Sequence, residues 1–335
     1  MEKEKKIFSI VIPAYNAEST ILRTLASLIS SRDYIKEVIV VNDHSTDGTV
    51  EQTKILKDIL PIQILDNEGE HNPGAARKVG LLAAQGEWIA FVDADDCLTA
   101  SALHYVYQKL NKEIVILQTQ TIFYEFGDVI PDNIDYNANS CGGRYYRREF
   151  LVENKLFPHE YLQMAEDEYF NQIIDTFIDF YYDSFDLIKH YSYPTYEVHH
   201  DDWRTSFAHG NWVDYVIKYH LLCSQYYTDY FKSDISIISR LEREYTEKFI
   251  YAYFCLMRAL NDSTLIFNIN KQMESFKNAL IYYIETFHKS KQDLIKFVNH
   301  NPVIIQGLKE SAALTIGSDL SPENIHPFKY FINNL

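Results

Sequence analysis

Trp88–Leu98 reads WIAFVDADDCL, an apolar run that ends in three carboxylates within four positions, Asp93, Asp95 and Asp96. Like charges this close repel and raise one another's pKa. A chain keeps such a cluster at the end of a buried strand when a cation shares the pocket. Asp93-Ala94-Asp95 is a D-x-D. Alternate strand residues point the same way, so Asp93 and Asp95 can face one ligand while Ala94 turns into the core. Hard carboxylate oxygens suit Mn²⁺ or Mg²⁺, which also take diphosphate oxygens. The competing reading is helix capping by Asp95 or Asp96 ahead of CLTASALHYVY.

On the N-terminal side of this stretch, strand and helix patterns alternate. IFSIVIP (7–13), EVIVVND (37–43), IQILD (62–66) and EWIAFVD (87–93) are near-continuous apolar runs. NAESTILRTLASLISS is helical, with Asn16 placed as N-cap. STDGTVEQTKILKDIL is a second helix presenting Val50, Ile55, Leu56 and Ile59. NPGAARKVGLLAAQG is a third, stopped by Gly86. Unbroken apolar strands separated by helices predict an α/β fold, a mostly parallel sheet covered on both faces. Ligands on such sheets bind beyond the carboxyl ends of the strands. That topology brings Pro13–Glu18, Asn42–Asp47 and Asp93–Asp96 to one rim.

Further along, EIVILQTQTIFYEF reads as a strand or strand pair, and Gly, Pro, Asn and Asp clusters between 127 and 147 mark loops. MAEDEYFNQIIDTF starts a helix, and FDLIKHYSYPTYEVHHDD is extended with a break at Pro194. From Asn211 the pattern is helical, with Ile238, Leu241, Tyr245, Phe249, Tyr253 and Met257 on one face. These shifts divide the chain into a catalytic domain over 1–207 and a helical C-terminal domain over 208–335.

The chain has 335 residues and a formal net charge of −16, which argues against nucleic-acid binding and against a basic face held to anionic lipid. Cys97, Cys141, Cys223 and Cys255 lie far apart without metal-ligand spacing and read as reduced buried thiols. No apolar segment is long enough for a signal region or a spanning helix, so a soluble cytoplasmic protein with no integral membrane segment is expected.

Candidate chemistry follows from residue type and place. Asp43, past the second strand, can accept the N–H of a pyrimidine base. Asp47 serves a helix N-terminus and reads as structural. Arg77 offers a cation to a base or diphosphate, or forms a salt bridge. Glu166-Asp167 is either a helix cap or the place of a general base. His199-His200 could put one imidazole on a metal, His200 being the candidate, and Arg204 could meet phosphate. Adjacent strand residues face opposite ways, so at most one histidine reaches the site.

Taken together, FSIVIPAYNAESTILRTLASL, VIVVNDHSTDGT, NPGAARKVGLLAAQGEWIAFVDADD and EDEYF resemble family 2 glycosyltransferases of the GT-A fold. The resemblance is specific over residues 7–98, thinner from 99 to about 206, and absent from the helical C-terminus. It implies inverting transfer of a sugar from a nucleotide diphosphate donor, commonly UDP-linked, to an acceptor hydroxyl on a glycan, a lipid-linked precursor or a glycoprotein. By matching positions it implies that Pro13, Ala14, Tyr15 and Glu18 line the nucleotide pocket. Asp43 would hold the base, Arg77 the nucleotide, and Asp93 would lie near ribose and metal. Asp95 would ligate Mn²⁺ or Mg²⁺, and Asp167 would be the base. Asn42 replaces the first of the paired acids usual after the second strand, and Lys78 replaces the Asn that often follows the helix Arg. Neither removes a residue assigned to chemistry.

Three other readings compete. A non-catalytic module binding nucleotide-sugar or glycan would share the pocket without turnover. A sugar-phosphate nucleotidyltransferase would carry a Gly-rich phosphate loop where PAYNAEST stands. An Asp-based phosphatase would want Thr or Val at Cys97. The C-terminal helices are expected to dock acceptor, form a homo-oligomer or brace the catalytic domain.

Overall fold

The computed structural model describes residues 6–125, 128–135, 140–162, 166–182, 185–200, 212–233, 237–260, 269–300 and 331–335. The chain divides into two units, Met1–Trp203 and Arg204–Leu335.

In the first unit, β1 (Phe8–Ala14), β2 (Ile35–Asn42), β3 (Ile62–Asp66) and β4 (Trp88–Phe91) pair in parallel in the order β3-β2-β1-β4. The sheet continues through β8 (Arg144–Arg147), antiparallel to β4, then β6 (Ile116–Glu125), β9 (Ile188–His200) and the short β5 (Cys97–Leu98). A further strand, β7 (Asp128–Asp135), pairs with the distal end of β6. Pro194 does not end β9. The register with β6 slips on either side of Gln120, which pairs with Pro194, and then resumes regularly from Tyr196. A residue without an N–H is accommodated as an irregularity inside the strand.

Every residue of β1 is buried, which is why its sequence shows no polar alternation. One face carries Phe8, Ile10, Ile12 and Ala14 into a core with Ile21 and Leu25 of α1 (Ile21–Ser27) and Leu103 and Val106 of α4 (Ala102–Lys109). The other face presents Val11 and Val41 to α3 (Pro73–Ala83). Phe170 of α6 (Glu166–Tyr181) meets Phe91 edge-on at 6.1 Å.

Local differences from the expected elements have simple causes. Asn16 is not an N-cap: its backbone is left-handed at φ 46°, and its Oδ1 accepts from Thr46 N across the rim, while Thr20 precedes the helix. Helix α2 spans only Thr49–Lys54, leaving Ile55 and Ile59 exposed. Helix α3 ends at Ala83 before reaching Gly86. Gly86 serves close approach instead, because a Cβ there would lie 2.6 Å from Ser9 N.

The second unit is helical: α7 (Trp212–Phe231), α8 (Ile238–Leu260), α9 (Ile269–Phe287) and α10 (Lys291–His300), with α5 (Arg148–Glu153) lying back in the first unit. Its apolar face on α8 buries Leu241, Tyr245, Phe249 and Tyr253 as the 3.6-residue period requires. Tyr245 also donates to Ala279 O at 2.9 Å, so this tyrosine is core with a satisfied hydroxyl. Ile238 is partly buried, and Met257 lies outside the described side chains. No helix among the described residues is long and apolar enough to cross a membrane.

Candidate functional site

The carboxyl ends of the four parallel strands supply two adjoining groups of side chains. At the first, Asp43 N donates to Ala14 O at 2.8 Å, drawing the ends of β1 and β2 together. The Asp43 carboxylate is buried. Asn67 Nδ2 donates to its Oδ1 at 2.6 Å, and His71 Nδ1 lies 3.0 Å from its Oδ2. Tyr15 is exposed and sets its ring 4.3 Å from that of His71. A buried carboxylate one side chain away from an exposed aromatic ring can take a flat heterocycle that donates an N–H.

Pro13 and Ala14 are buried backbone formers at the end of β1. Glu18 is committed to the neighbouring loop: its Oε2 accepts from Gly48 N at 3.0 Å, and its own N donates to Asp47 Oδ2 at 3.1 Å. Asp47 also accepts from Thr49 N, the structural role read from sequence.

The second group is built around Arg77 on α3, a buried guanidinium. Its Nη2 donates to Asp93 Oδ1 at 2.6 Å and its Nη1 to Glu166 Oε1. Arg77 Nε has no hydrogen-bond partner among the described residues. Burial alone would favour loss of its proton, yet Asp93 and Glu166 hold the guanidinium firmly charged. Gly74 makes this meeting possible, since a Cβ there would lie 2.3 Å from His159 O and 3.1 Å from Glu166 Cγ.

Asp167 follows at the first turn of α6, half-buried, with Oδ1 accepting from Glu168 N at 2.8 Å. Burial, then the charge of Glu166, push its carboxyl up to about 7, against the opposing pull of Arg77. An acid titrating there is poised for proton transfer near neutral pH.

The D-x-D lies just past the strand rather than on it. Strand β4 ends at Phe91, and Asp96 N closes a turn onto Asp93 O at 3.1 Å. The expected alternation survives: Ala94 is in the core, Asp93 is partly exposed and Asp95 exposed. Arg23 Nη2 donates to Asp95 O at 2.7 Å, fixing the turn from α1.

Asp96 caps no helix. It is buried and accepts from Tyr196 Oη at 2.9 Å and from His199 N at 3.0 Å, while Tyr196 Oη accepts from Asp93 N. Burial and the charges of Asp95 and Asp93 hold its carboxyl well above the usual range. The acidic turn is thus tied to β9 by a latch that no local pattern announces. Asn67, His71 and Tyr196 were likewise missed and carried no local signal, whereas Glu166, named beside Asp167 in the sequence, is the partner of Arg77. His200 has its backbone in β9 opposite Glu125, and its side chain lies outside the described set, as does all of Arg204.

Asp95 and Asp93 could hold a hard divalent ion: Asp95 is exposed and Asp93 partly exposed, and hard carboxylate oxygens suit such an ion.

Residues 9–191 match the family model described as Glycosyl transferase family 2. The chain belongs to glycosyl transferase family 2. Members of family 2 are sugar transferases, and two curated ones illustrate the likeness. Poly(ribitol-phosphate) beta-N-acetylglucosaminyltransferase TarS of Staphylococcus aureus is 29% identical over 182 residues, 49% of this chain and 31% of that protein. The Escherichia coli UDP-Glc:alpha-D-GlcNAc-diphosphoundecaprenol beta-1,3-glucosyltransferase WfaP is 32% identical over 123 residues, 37% of this chain and 46% of that one. The match therefore spans less than half the length of either relative. The crystal structure of S. aureus TarS 1–349 with UDP-GlcNAc superposes with TM-score 0.59 at 22% identity, covering 85% of this chain and 82% of that one. That likeness establishes the GT-A fold for this family 2 chain: an α/β, mostly parallel sheet flanked by helices, with a helical C-terminal region.

Proposed function

We propose that this chain transfers a sugar, with inversion, from a nucleotide diphosphate donor to an acceptor hydroxyl, and that the donor is UDP-linked. The observation that carries the proposal is the Asp167 carboxyl. It is pushed up to about 7 beside the Arg77–Asp93–Glu166 cluster, on the rim that also holds Tyr15 and Asp43. Support for the donor comes from TarS, solved with UDP-GlcNAc, and from WfaP, named for UDP-Glc. Those two relatives are named for a poly(ribitol-phosphate) and a diphosphoundecaprenol-linked sugar, so a cell-surface polymer or lipid-linked glycan is the proposed acceptor class. Residues 99–207 are assigned the acceptor side, and the helical residues from 208 acceptor binding or oligomerisation.

In this reading Tyr15 stacks on the base and Asp43 accepts its N–H, with Asn67 fixing the carboxylate plane. Pro13, Ala14 and Glu18 shape the wall, and Arg77 serves the nucleotide site through its two terminal nitrogens, which orient Asp93 and Glu166. Asp95, with Asp93 indirectly and His200 from β9, would hold Mn²⁺ or Mg²⁺. Bound there, the ion supplies Lewis-acid stabilisation of the departing diphosphate. Asp167 takes the proton of the acceptor hydroxyl, which attacks the anomeric carbon from the side opposite the leaving group. Its high pKa makes it a stronger base than an ordinary carboxylate and leaves about half of it ionised near pH 7.

The test is a panel of nucleotide sugars assayed for UDP release with Mn²⁺, with and without polyol-phosphate or lipid-diphosphate glycan acceptors. Acceptor-stimulated release that Asp167→Asn abolishes is expected. Tight UDP binding without turnover on any acceptor would instead identify a binding module.

A further inference from the structure

A second group of metal-type donors lies on the other side of β9. Cys97 on β5 stands directly opposite Glu197 on β9, and His199 is two residues further along the same strand. Their donor atoms all lie within 4.8 Å of one another. Alternation puts Glu197 and His199 on the face of β9 opposite Tyr196, whose hydroxyl belongs to the Asp96 latch. We propose that Cys97, Glu197 and His199 form a binding site for a thiophilic divalent ion of the zinc type, separate from the donor set of Asp95.

The donor chemistry selects the ion. A thiolate, an imidazole and one carboxylate suit Zn²⁺ or Co²⁺ and not Mg²⁺. Thiolate and carboxylate together cancel a 2+ charge, so the loaded cluster is neutral in a part-buried place. His199 Nε2 and Glu197 Oε2 are 3.4 Å apart, and adjacent ligands in a tetrahedral zinc site stand about 3.3 Å apart. The imidazole is already oriented: its ring stacks on Tyr124 at 4.6 Å and 6°, and its backbone N is held by Asp96. All three donors ride on paired strands, so little ordering is left for the ion to impose.

Loading forms a sulfur–metal bond and releases the thiol proton to solvent, with no change of oxidation state. The consequence is mechanical. Strand β5 has only two residues, and it directly follows the acidic turn. An ion there staples that turn to β9 from the side opposite the Asp96–Tyr196 contact.

Co²⁺ titrated into the chelator-stripped, phosphine-reduced full chain tests this. A thiolate-to-cobalt charge-transfer band saturating at about one equivalent, displaced by Zn²⁺ and indifferent to Mg²⁺, is expected. Asp95→Ala keeps the band and Cys97→Ser, checked as folded by circular dichroism, loses it. Should Cys97→Ser not fold, His199→Gln leaves the thiol in place and must weaken Co²⁺ binding. Absence of a band in folded wild-type protein overturns the proposal. So does a band undiminished in Cys97→Ser, affinity unchanged in His199→Gln, or a band lost in Asp95→Ala.

Discussion

Arg77 reaches across 89 positions of sequence to bond the carboxylate of Glu166, and both side chains are nearly inaccessible to solvent. The pair joins the helix that carries Asp167 to the helix that precedes the acidic turn. Removing one partner strands the other's charge in a poor solvent. Arg77→Ala is therefore expected to cost about 3–5 kcal/mol by urea denaturation, and Arg77→Met with Glu166→Gln to recover much of it. Equal stability of the single and double variants would mean that the charges do not depend on each other.

Arg77 also draws the Asp167 carboxyl downward, while burial and Glu166 push it to about 7. In its proposed role as base, Asp167 acts only when ionised. The kcat/KM profile should rise with pH through about 7, and Arg77→Met should move that limb higher. Stability has the opposite sense. The native state holds a proton that the unfolded chain has released between about pH 4 and 7, so this group's contribution is full below that window and lost as pH rises through it. Asp167→Asn should raise the melting temperature at pH 8 and leave it unchanged at pH 4.

The four parallel strands and the helices between them could be read from sequence because burial on both faces writes itself as unbroken apolar runs. Their carboxyl-end rim followed from topology, and with it the neighbourhood of Tyr15, Asp43 and Asp93. What escaped was tertiary. Tyr196 sits 100 positions from Asp96, and Asn67 is 24 from Asp43, so no local spacing joins them. Cysteine spacing gave no hint that β5 places Cys97 against Glu197, because strand pairing makes that contact. Helix ends failed for local reasons: Asn16 went left-handed to bond Thr46, and Ile55 and Ile59 turned outward.

The Tyr196 hydroxyl is the joint of the acidic turn, donating to Asp96 and accepting from Asp93 N. Tyr196→Phe keeps the ring in the core and leaves two polar groups unanswered. A loss of about 1–3 kcal/mol is expected in chemical denaturation, with Mn²⁺-dependent donor binding weakened as the turn loosens. Asp96→Asn keeps an acceptor for His199 N and, because burial disfavours a charge at this position, should cost less than Asp96→Leu.

Asp43 gives the sharpest test of the proposed donor pocket, because each of its oxygens has an identified neighbour. Asn67 supports Oδ1, and His71, half-exposed under Tyr15, is the neighbour of Oδ2 that an incoming base must replace or share. Asp43→Asn removes a charged acceptor while keeping shape. It should weaken UDP binding by about 1–3 kcal/mol in calorimetry. His71→Ala leaves the carboxylate and opens Oδ2, so UDP binding should hold or tighten. If Asp43→Asn bound UDP as well as the wild type, Asp43 would be only a brace for the loop of Asn67, and the base would have to be held elsewhere on the rim.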